Sequence, residues 1–384
     1  MKVLVVLTYY RPHTSGLTIY AERLSRGLAS RGHPVTVLTS RFDSSTPLEE
    51  ESDGVRIVRV PVAARVSKGV LMPAFGRAAT RLVREHDVVS LHLPQFDAAG
   101  VALRGRLHRR PTTLTYHCDL ALPPGALNRV ANRVVDAMNH LSALLANRVV
   151  AYTEDFARHS PLLVRFRSKV EVIPPPVESP APTTQEVAAF RARHRLEGTG
   201  PVIGMAARLA SEKGVEVLLE ALPRVLAEAP GARVLFAGQH ANVLGEEAYA
   251  RRLAPALERH RDRWTFLGIL ASAEMAAFFT SLDVIVVPSL NSTESFGLVQ
   301  VEAMLCGTPS IASALPGVRQ PVEQTGMGEV VPIGDAGRLA DAILRVTRRR
   351  ADYLKPRAEI ERRFSTARTI EGYEALFARL VQRR

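Results

Sequence analysis

The sequence predicts an α/β protein built from two doubly wound parallel-sheet domains. Three observations carry that expectation. Residues 2–8 and 201–206 are continuous apolar runs, each followed by a glycine-containing loop and a helical pattern. Such runs suit strands buried on both faces. Short apolar runs and helical patterns then alternate along both halves, which implies βαβ units. Between the halves stand Pro174, Pro175, Pro176, Pro180 and Pro182, a segment that neither a helix nor a central strand accepts.

The elements follow in order. In the first half, strands are expected at 2–8, 35–39, 55–60, 87–92, 112–116 and 148–152, with a first helix over 18–31. In the second half, strands are expected at 201–206, 232–237, 264–267, 283–287, 309–312 and 329–332. Helices are expected there at 183–195, 215–228, 246–260, 272–280, 297–305, 317–324 and 336–348. The expected domains are therefore 1–176 and 183–366, joined by a linker over 174–182. In sheets of this kind ligands bind at the carboxyl ends of the strands, so a cleft between the domains is the expected site.

Composition bounds the function. The chain has 384 residues, of which 46% are hydrophobic and 23% charged, ordinary values for a globular protein of two or three domains. They exclude a wholly disordered, collagenous or coiled-coil chain. Two cysteines, Cys118 and Cys306, make no disulfide framework and no cysteine-rich metal site. They fit a reducing, cytoplasmic compartment. No apolar run is long enough to span a membrane. The apolar start, Val3 to Leu7, meets Arg11 and Pro12 at once, so it reads as a first strand and not as a signal peptide. Net charge is +12, with +10 of it in residues 1–176 and +2 in the remainder. An anionic partner is the direct expectation, and it concerns the first half.

The segment 288–309 is the richest in chemistry. A buried strand ends at Pro288, a polar loop follows, and a helix is expected to begin near Ser295 and to stop at Gly307. Backbone amides at a helix start form an anion site, and Gly297 lets a ligand approach the main chain closely. Glu294 stands just before this helix and Glu302 about two turns into it, so the two carboxylates can reach different hydroxyls of one elongated ligand. The same residues also fit an acid favouring the helix dipole and a solvated glutamate.

Arg208 and Lys213, before Gly214, lie in a loop between a strand and a helix, where two cations suit a phosphate or diphosphate. An isolated pair also fits a solvated loop. No Walker A pattern is present. His117, after the strand 112–116, can bond a substrate hydroxyl or move a proton, or serve as a structural histidine. Cys118 beside it does not complete a zinc site. The first loop, Tyr9 to Gly16, lacks the glycine fingerprint of dinucleotide binding. The absence of Asp-x-Asp argues against a carboxylate-held metal, so cations and a helix terminus would have to meet a diphosphate's charge.

Together these residues resemble the retaining glycosyltransferases of family 4, which have the GT-B fold of two Rossmann-like domains facing across a cleft. The matching elements are Glu294-Ser295-Phe296-Gly297-Leu298 with Glu302 (the Glu-x7-Glu signature), Arg208 with Lys213-Gly214, His117-x-Asp119, and the first strand, loop and helix ending Gly32-His33-x-Val35-x-Val37. The resemblance covers essentially the whole chain. It implies transfer of a hexosyl unit from a UDP- or GDP-sugar to an acceptor hydroxyl on a glycan, lipid or small metabolite, with retention and with neither metal nor cofactor. Arg208 and Lys213 would hold the diphosphate and stabilise the leaving nucleotide. Glu302 would bond the ribose, while Glu294 and the backbone from Ser295 to Leu298 would meet sugar and phosphate. His117 would stand near the sugar's reactive face, Gly16 would admit the phosphate, and Gly268 to Leu270 would line the nucleobase. A last helix, 368–384, would cross back to the N-terminal domain.

Two departures stand out. Many members have Gly-Gly where this chain has Ser15-Gly16, and a Gly-x-Gly turn where it has Gly238-Gln239-His240. Arg65, Lys68, Arg77, Arg81 and Arg84 surround an apolar stretch of Val70, Leu71, Met72, Phe75, Leu82 and Val83. Arg104, Arg106, Arg109 and Arg110 follow. This basic, amphipathic region fits peripheral docking on an anionic membrane, and equally a solvated arginine face over a buried stripe. Two other readings compete: a nucleotide-sugar epimerase of the same fold, and a non-catalytic basic protein binding an anionic polymer or nucleic acid. The second would interleave exposed aromatics with its arginines. Aromatics make up 6% of the chain and do not track them.

Overall fold

The computed structural model describes residues 1–66, 69–120, 126–198 and 200–382. The chain forms two units, one of Met1–Pro176 with the segment from Phe364 onward, the other of Val177–Arg363.

The first unit holds β1 (Val3–Val6), β2 (Val35–Ser40), β3 (Glu49–Ser52), β4 (Val55–Val60), β5 (Ala64–Val66), β6 (Gly69–Leu71), β7 (Val88–Leu93), β8 (Thr112–Tyr116), β9 (Arg148–Ala151) and β10 (Val170–Val172). Its main sheet has eight strands in the order β10-β9-β8-β7-β1-β2-β4-β3. Every residue of β1, β2, β7 and β8 is buried. That is what two covered faces require, and in β1 it shows as an apolar run without alternation. Val5 pairs with Val37 on one side and Ser90 on the other, both in parallel register. The helices Phe75–Glu85 and Ala98–Leu107 send Phe75, Leu82, Val83, Val101 and Ala102 into one core with Leu4, Val6, Leu91 and Leu114.

The last helix, Thr366–Gln382, belongs to this first unit and packs on the first helix, Gly16–Ser30. The Tyr20 and Tyr373 hydroxyls meet at 2.8 Å, and Tyr373 also bonds Thr115 Oγ1 at 2.6 Å. At the rim Glu374 accepts from Arg31 at 2.7 Å and contacts His33 Nε2 at 2.9 Å. Residues 383 and 384 of the expected terminal helix lie outside the described residues.

The second unit holds β11 (Val202–Ala206), β12 (Arg233–Ala237), β13 (Trp264–Gly268), β14 (Val284–Val287), β15 (Ser310–Ser313) and β16 (Gly328–Val331). They form one parallel sheet in the order β13-β12-β11-β14-β15-β16. The chain winds outward from β11, returns to β14 and winds the other way. The carboxyl ends of β11 and β14 are therefore a topological switch point, the place where sheets of this kind take their ligands. The first sheet has the same reversal at β1 and β7.

Three expectations need correction. The helix in segment 288–309 begins at Leu298, not near Ser295, because Gly297 adopts a left-handed conformation (φ 76°) that a helix interior does not hold. The first sheet is not wholly parallel, since β3 pairs antiparallel with β4. Its sequence Glu-Glu-Glu-Ser is exposed, as an edge strand tolerates. The stretch before the basic helix is a hairpin, β5 with β6. Of the two readings of that basic helix, the one with an arginine face over a buried apolar stripe fits, since Phe75, Leu82 and Val83 are all buried and its outer face offers charge alone. Lys68 lies outside the described residues.

Candidate active site

Two loops meet at the switch point of the second sheet. The first, 207–214, leaves β11 and ends in a short 3-10 turn, Ser211–Lys213, before the helix Val215–Glu228. The second, 288–297, leaves β14 and ends at the helix Leu298–Leu305. Gly214 locks one against the other. It sits at φ 68°, and a Cβ there would stand 2.1 Å from the Pro288 carbonyl oxygen. No side chain fits so close an approach, and glycine alone adopts that conformation without strain. The Leu290 N–H donates to the Glu212 carbonyl at 2.9 Å and closes the seam.

This lock brings Lys213 to Glu294. The Lys213 Nζ donates to Glu294 Oε2 at 2.6 Å, and each side chain is about one-fifth exposed. The other carboxylate oxygen, Oε1, accepts from the Gly297 N–H at 3.0 Å. Burial raises the acid's pKa. The Lys213 charge and hydrogen bond and the amides of Gly297 and Phe296 outweigh that and hold it below the usual carboxylate range. Arg208 is tied in its own loop, its Nη2 donating to Glu212 Oε1 at 3.0 Å. Each cation that could meet a diphosphate thus already holds a carboxylate, Glu212 for Arg208 and Glu294 for Lys213.

The helix start beside them has no acidic residue in its first turn and no side-chain cap. It is a site of positive backbone potential. Its geometry is set from below. Gln300 is fully buried and donates to the Phe296 and Val318 carbonyls, both at 2.9 Å, while its Oε1 accepts from Ser310 Oγ at 3.2 Å. A side chain at Gly297 would stand 2.6 Å from the Gln300 amide nitrogen. Ser295 and Phe296 are buried, and Phe296 is 1% exposed. The Phe296 ring therefore packs inward. Glu302 is buried on the same helix.

Gly268 ends β13 in a left-handed conformation with open space where a Cβ would stand. Its carbonyl accepts from the Gly238 N–H at 2.7 Å. Leu270 packs partly buried against the core of Phe278 and Ile285. His240 stacks on Phe266 with ring centroids 4.4 Å apart.

His117 and Gly16 lie in the first unit. Gly16 opens the first helix, and nothing stands within 4 Å of where its Cβ would be. Ser15, in place of the family's common glycine, caps this helix, its Oγ accepting from the Thr18 N–H at 3.2 Å. His117 is 7% exposed. Its Nε2 meets His92 Nδ1 at 2.9 Å and its Nδ1 meets the Tyr152 hydroxyl. Both ring nitrogens are thus engaged within the protein. Burial first, and then His92, drive its pKa well below the ordinary value, so the ring is neutral at physiological pH. Asp119 accepts from Tyr116 at 2.9 Å and from Ser160 at 2.7 Å, and burial raises its pKa.

Sequence reasoning did not single out Glu212, Gln300 or Glu246. The first was readable, since Arg208 and Glu212 stand four apart. Gln300, like Glu302, interrupts the apolar run of the helix Leu298–Leu305. Glu246 left no signal, because its partner is a backbone amide in a distant loop.

Among the described residues no group of three histidine, cysteine or acidic side chains is arranged to hold a metal, and no helix is long and apolar enough to cross a membrane.

Known proteins match this chain over both of its units. Residues 200–349 match the family model of glycosyl transferases group 1, and residues 15–176 match that of the glycosyl transferase 4-like domain. The D-inositol 3-phosphate glycosyltransferase of Mycolicibacterium smegmatis is 30% identical over 95% of this chain and 86% of its own length. The 2-deoxystreptamine N-acetyl-D-glucosaminyltransferase of Streptomyces fradiae is 29% identical over 85% of this chain and 81% of its own. In fold, the chain is similar to Anabaena HepE, solved in complex with UDP and glucose. The TM-score is 0.79 at 19% identity, covering 98% of this chain and 99% of that one. The chain belongs to the group 1 glycosyltransferases of family 4 type, enzymes with the GT-B fold.

Proposed function

We propose that this glycosyltransferase moves a hexosyl unit from a UDP- or GDP-sugar to an acceptor hydroxyl, with retention and without a divalent ion. The observation that carries the reading is the meeting of Lys213, Glu294 and the amide-bearing start of the helix Leu298–Leu305 at one switch point. A diphosphate would take the Lys213 ammonium, the open donors of Arg208 and the amides at Gly297 and Leu298. These are the groups that stabilise charge on a departing nucleotide. Glu294, released from Lys213, would accept from sugar hydroxyls. Glu302 would take the ribose, and the main chain from Gly268 to Leu270 would line the base. The acceptor oxygen would attack from the face the nucleotide leaves, and a donor phosphate oxygen would take its proton. Two carboxylates spanning the sugar, as in a glycosidase, are not needed on this route.

The acceptors named for the two relatives, D-inositol 3-phosphate and 2-deoxystreptamine, are small ring polyols, so a ring polyol is the first acceptor class to try. A station at an anionic membrane would rest on charge alone, through Arg77, Arg81 and Arg84, because the apolar side of their helix is buried.

The test is a panel of UDP- and GDP-sugars with ring-polyol and lipid acceptors, run with EDTA and read by mass spectrometry and proton NMR. The reading predicts an acceptor gaining one hexose with the anomeric configuration of the donor. Loss of activity in EDTA, an inverted product, or turnover of donor into an epimer without acceptor would each contradict it.

A further inference from the structure

Resting on that reading of the donor site, we propose that Glu246 is a positioning residue for the diphosphate grip. Its carboxylate caps the turn Ser211–Lys213 and so fixes where Arg208 and Lys213 stand.

Glu246 sits at the start of the helix Glu247–Arg259, where its carbonyl accepts from the Ala250 N–H at 2.9 Å. An acid there would ordinarily cap its own helix. This one makes no such bond. Its side chain reaches instead to the loop after β11, where Oε2 accepts from the Ser211 N–H at 3.1 Å. Ser211 is the first residue of the turn that carries Lys213. Glu246 is 4% exposed. Burying a carboxylate is costly unless hydrogen bonds repay it, so a buried acid aimed at one turn has a strong geometric preference.

The surroundings explain why that turn needs a support. The segment 237–246 runs beneath the cationic loop. Its strand-like part accepts from it twice, Ala207 N–H to Ala237 O at 2.9 Å and Leu209 N–H to Gln239 O at 2.8 Å. At Gly238, φ 128°, a side chain would stand 2.1 Å from the Ala207 carbonyl oxygen. Val243 anchors the far end in the core and accepts from the Glu246 N–H at 3.0 Å. Arg208 thus stands between the two rungs of this backbone ladder, and Lys213 stands in the turn that Glu246 caps. This segment is where the chain departs from the family's Gly-x-Gly turn.

Positioning of this kind acts on the increment that the second phosphate adds, not on the base. The experiment is calorimetric titration of UDP, UMP, GDP and GMP into the wild type, Glu246→Ala and Glu246→Gln, with thermal melts of each. The wild type is expected to prefer the diphosphate of its own base. In E246A that preference should fall at least about tenfold while monophosphate affinity stays within about threefold. E246Q keeps an oxygen for the Ser211 amide and should restore the preference. A purely structural role would lower the melting temperature and weaken both nucleotides alike. E246A with an undiminished diphosphate preference, E246Q as impaired as E246A, or loss of both nucleotides together would each overturn the inference. A wild type with no diphosphate preference for either base would overturn the donor-site reading beneath it.

Discussion

The Lys213 ammonium and the Glu294 carboxylate stand 2.6 Å apart as an ion pair. On the proposed reading, a bound sugar nucleotide must exchange this pair for its own contacts. Replacing Glu294 by Gln removes the competing charge and leaves Lys213 intact. We expect E294Q to bind UDP or GDP at least as tightly as the wild type while its kcat falls about 100-fold, in line with the loss of one preorganised contact to the reacting group. Calorimetry beside steady-state kinetics checks this. Weaker nucleotide binding in E294Q would show that the pair does not compete with the diphosphate.

Gly214 carries the geometry of that pair. Alanine there meets both a left-handed backbone and the Pro288 carbonyl. G214A is expected to lose about 2 kcal/mol or more of stability and to weaken nucleoside diphosphate binding together with it. Denaturant melts and calorimetry read the two. An alanine variant as stable as the wild type would mean that the two loops are not pressed together as described.

The buried histidine pair gives the first unit a defined acid response. Burial pushes His92 down to about 3, and His117, buried and beside His92, lies well below its ordinary value. Both are neutral when folded and gain protons when unfolded. Their contribution to stability is full above about pH 6.5 and is lost as pH falls toward their folded values. Between pH 7 and pH 5 the loss is on the order of 2 kcal/mol for each. H92Q should make the pH dependence shallower by about that amount over the same interval, read by denaturant melts at both values. An unchanged slope would contradict the burial of a neutral pair.

Tyr373 holds the C-terminal helix to the first unit through Tyr20 and Thr115. Y373F leaves two buried hydroxyls to find other partners and should cost about 1–3 kcal/mol, without changing nucleotide affinity in the second unit. A parallel loss of nucleotide binding would show that the effect is not confined to this helix.

Much of this architecture was legible in the residues. The bounds of β4, β8, Val215–Glu228 and Ala336–Arg348 follow the expected ones to the residue, because apolar runs with sharp polar or glycine ends leave few alternatives. What stayed hidden was set by tertiary pairing. The Glu-rich β3 is a strand only because β4 offers it an edge, and the short β5 and β6 become strands only by pairing with each other. In the site, Lys213 and Glu294 could each be singled out, yet their contact depends on the sheet order that places β14 beside β11. Glu246 was invisible because a backbone amide recognises no residue type. His117 shows the converse: the sequence leaves open a substrate-facing or a structural histidine at a strand end, and only the fold shows that both of its nitrogens are used within the protein.

The claim beneath all of this is that the diphosphate is held by Lys213, Arg208 and the start of the helix Leu298–Leu305. A crystal structure with UDP or GDP bound tests it most directly. A β-phosphate is expected within hydrogen-bond reach of Lys213 Nζ and of the Gly297 or Leu298 amide, with Glu294 turned off Lys213 toward the sugar position. A nucleotide bound elsewhere, with the Lys213–Glu294 pair still closed, would contradict it.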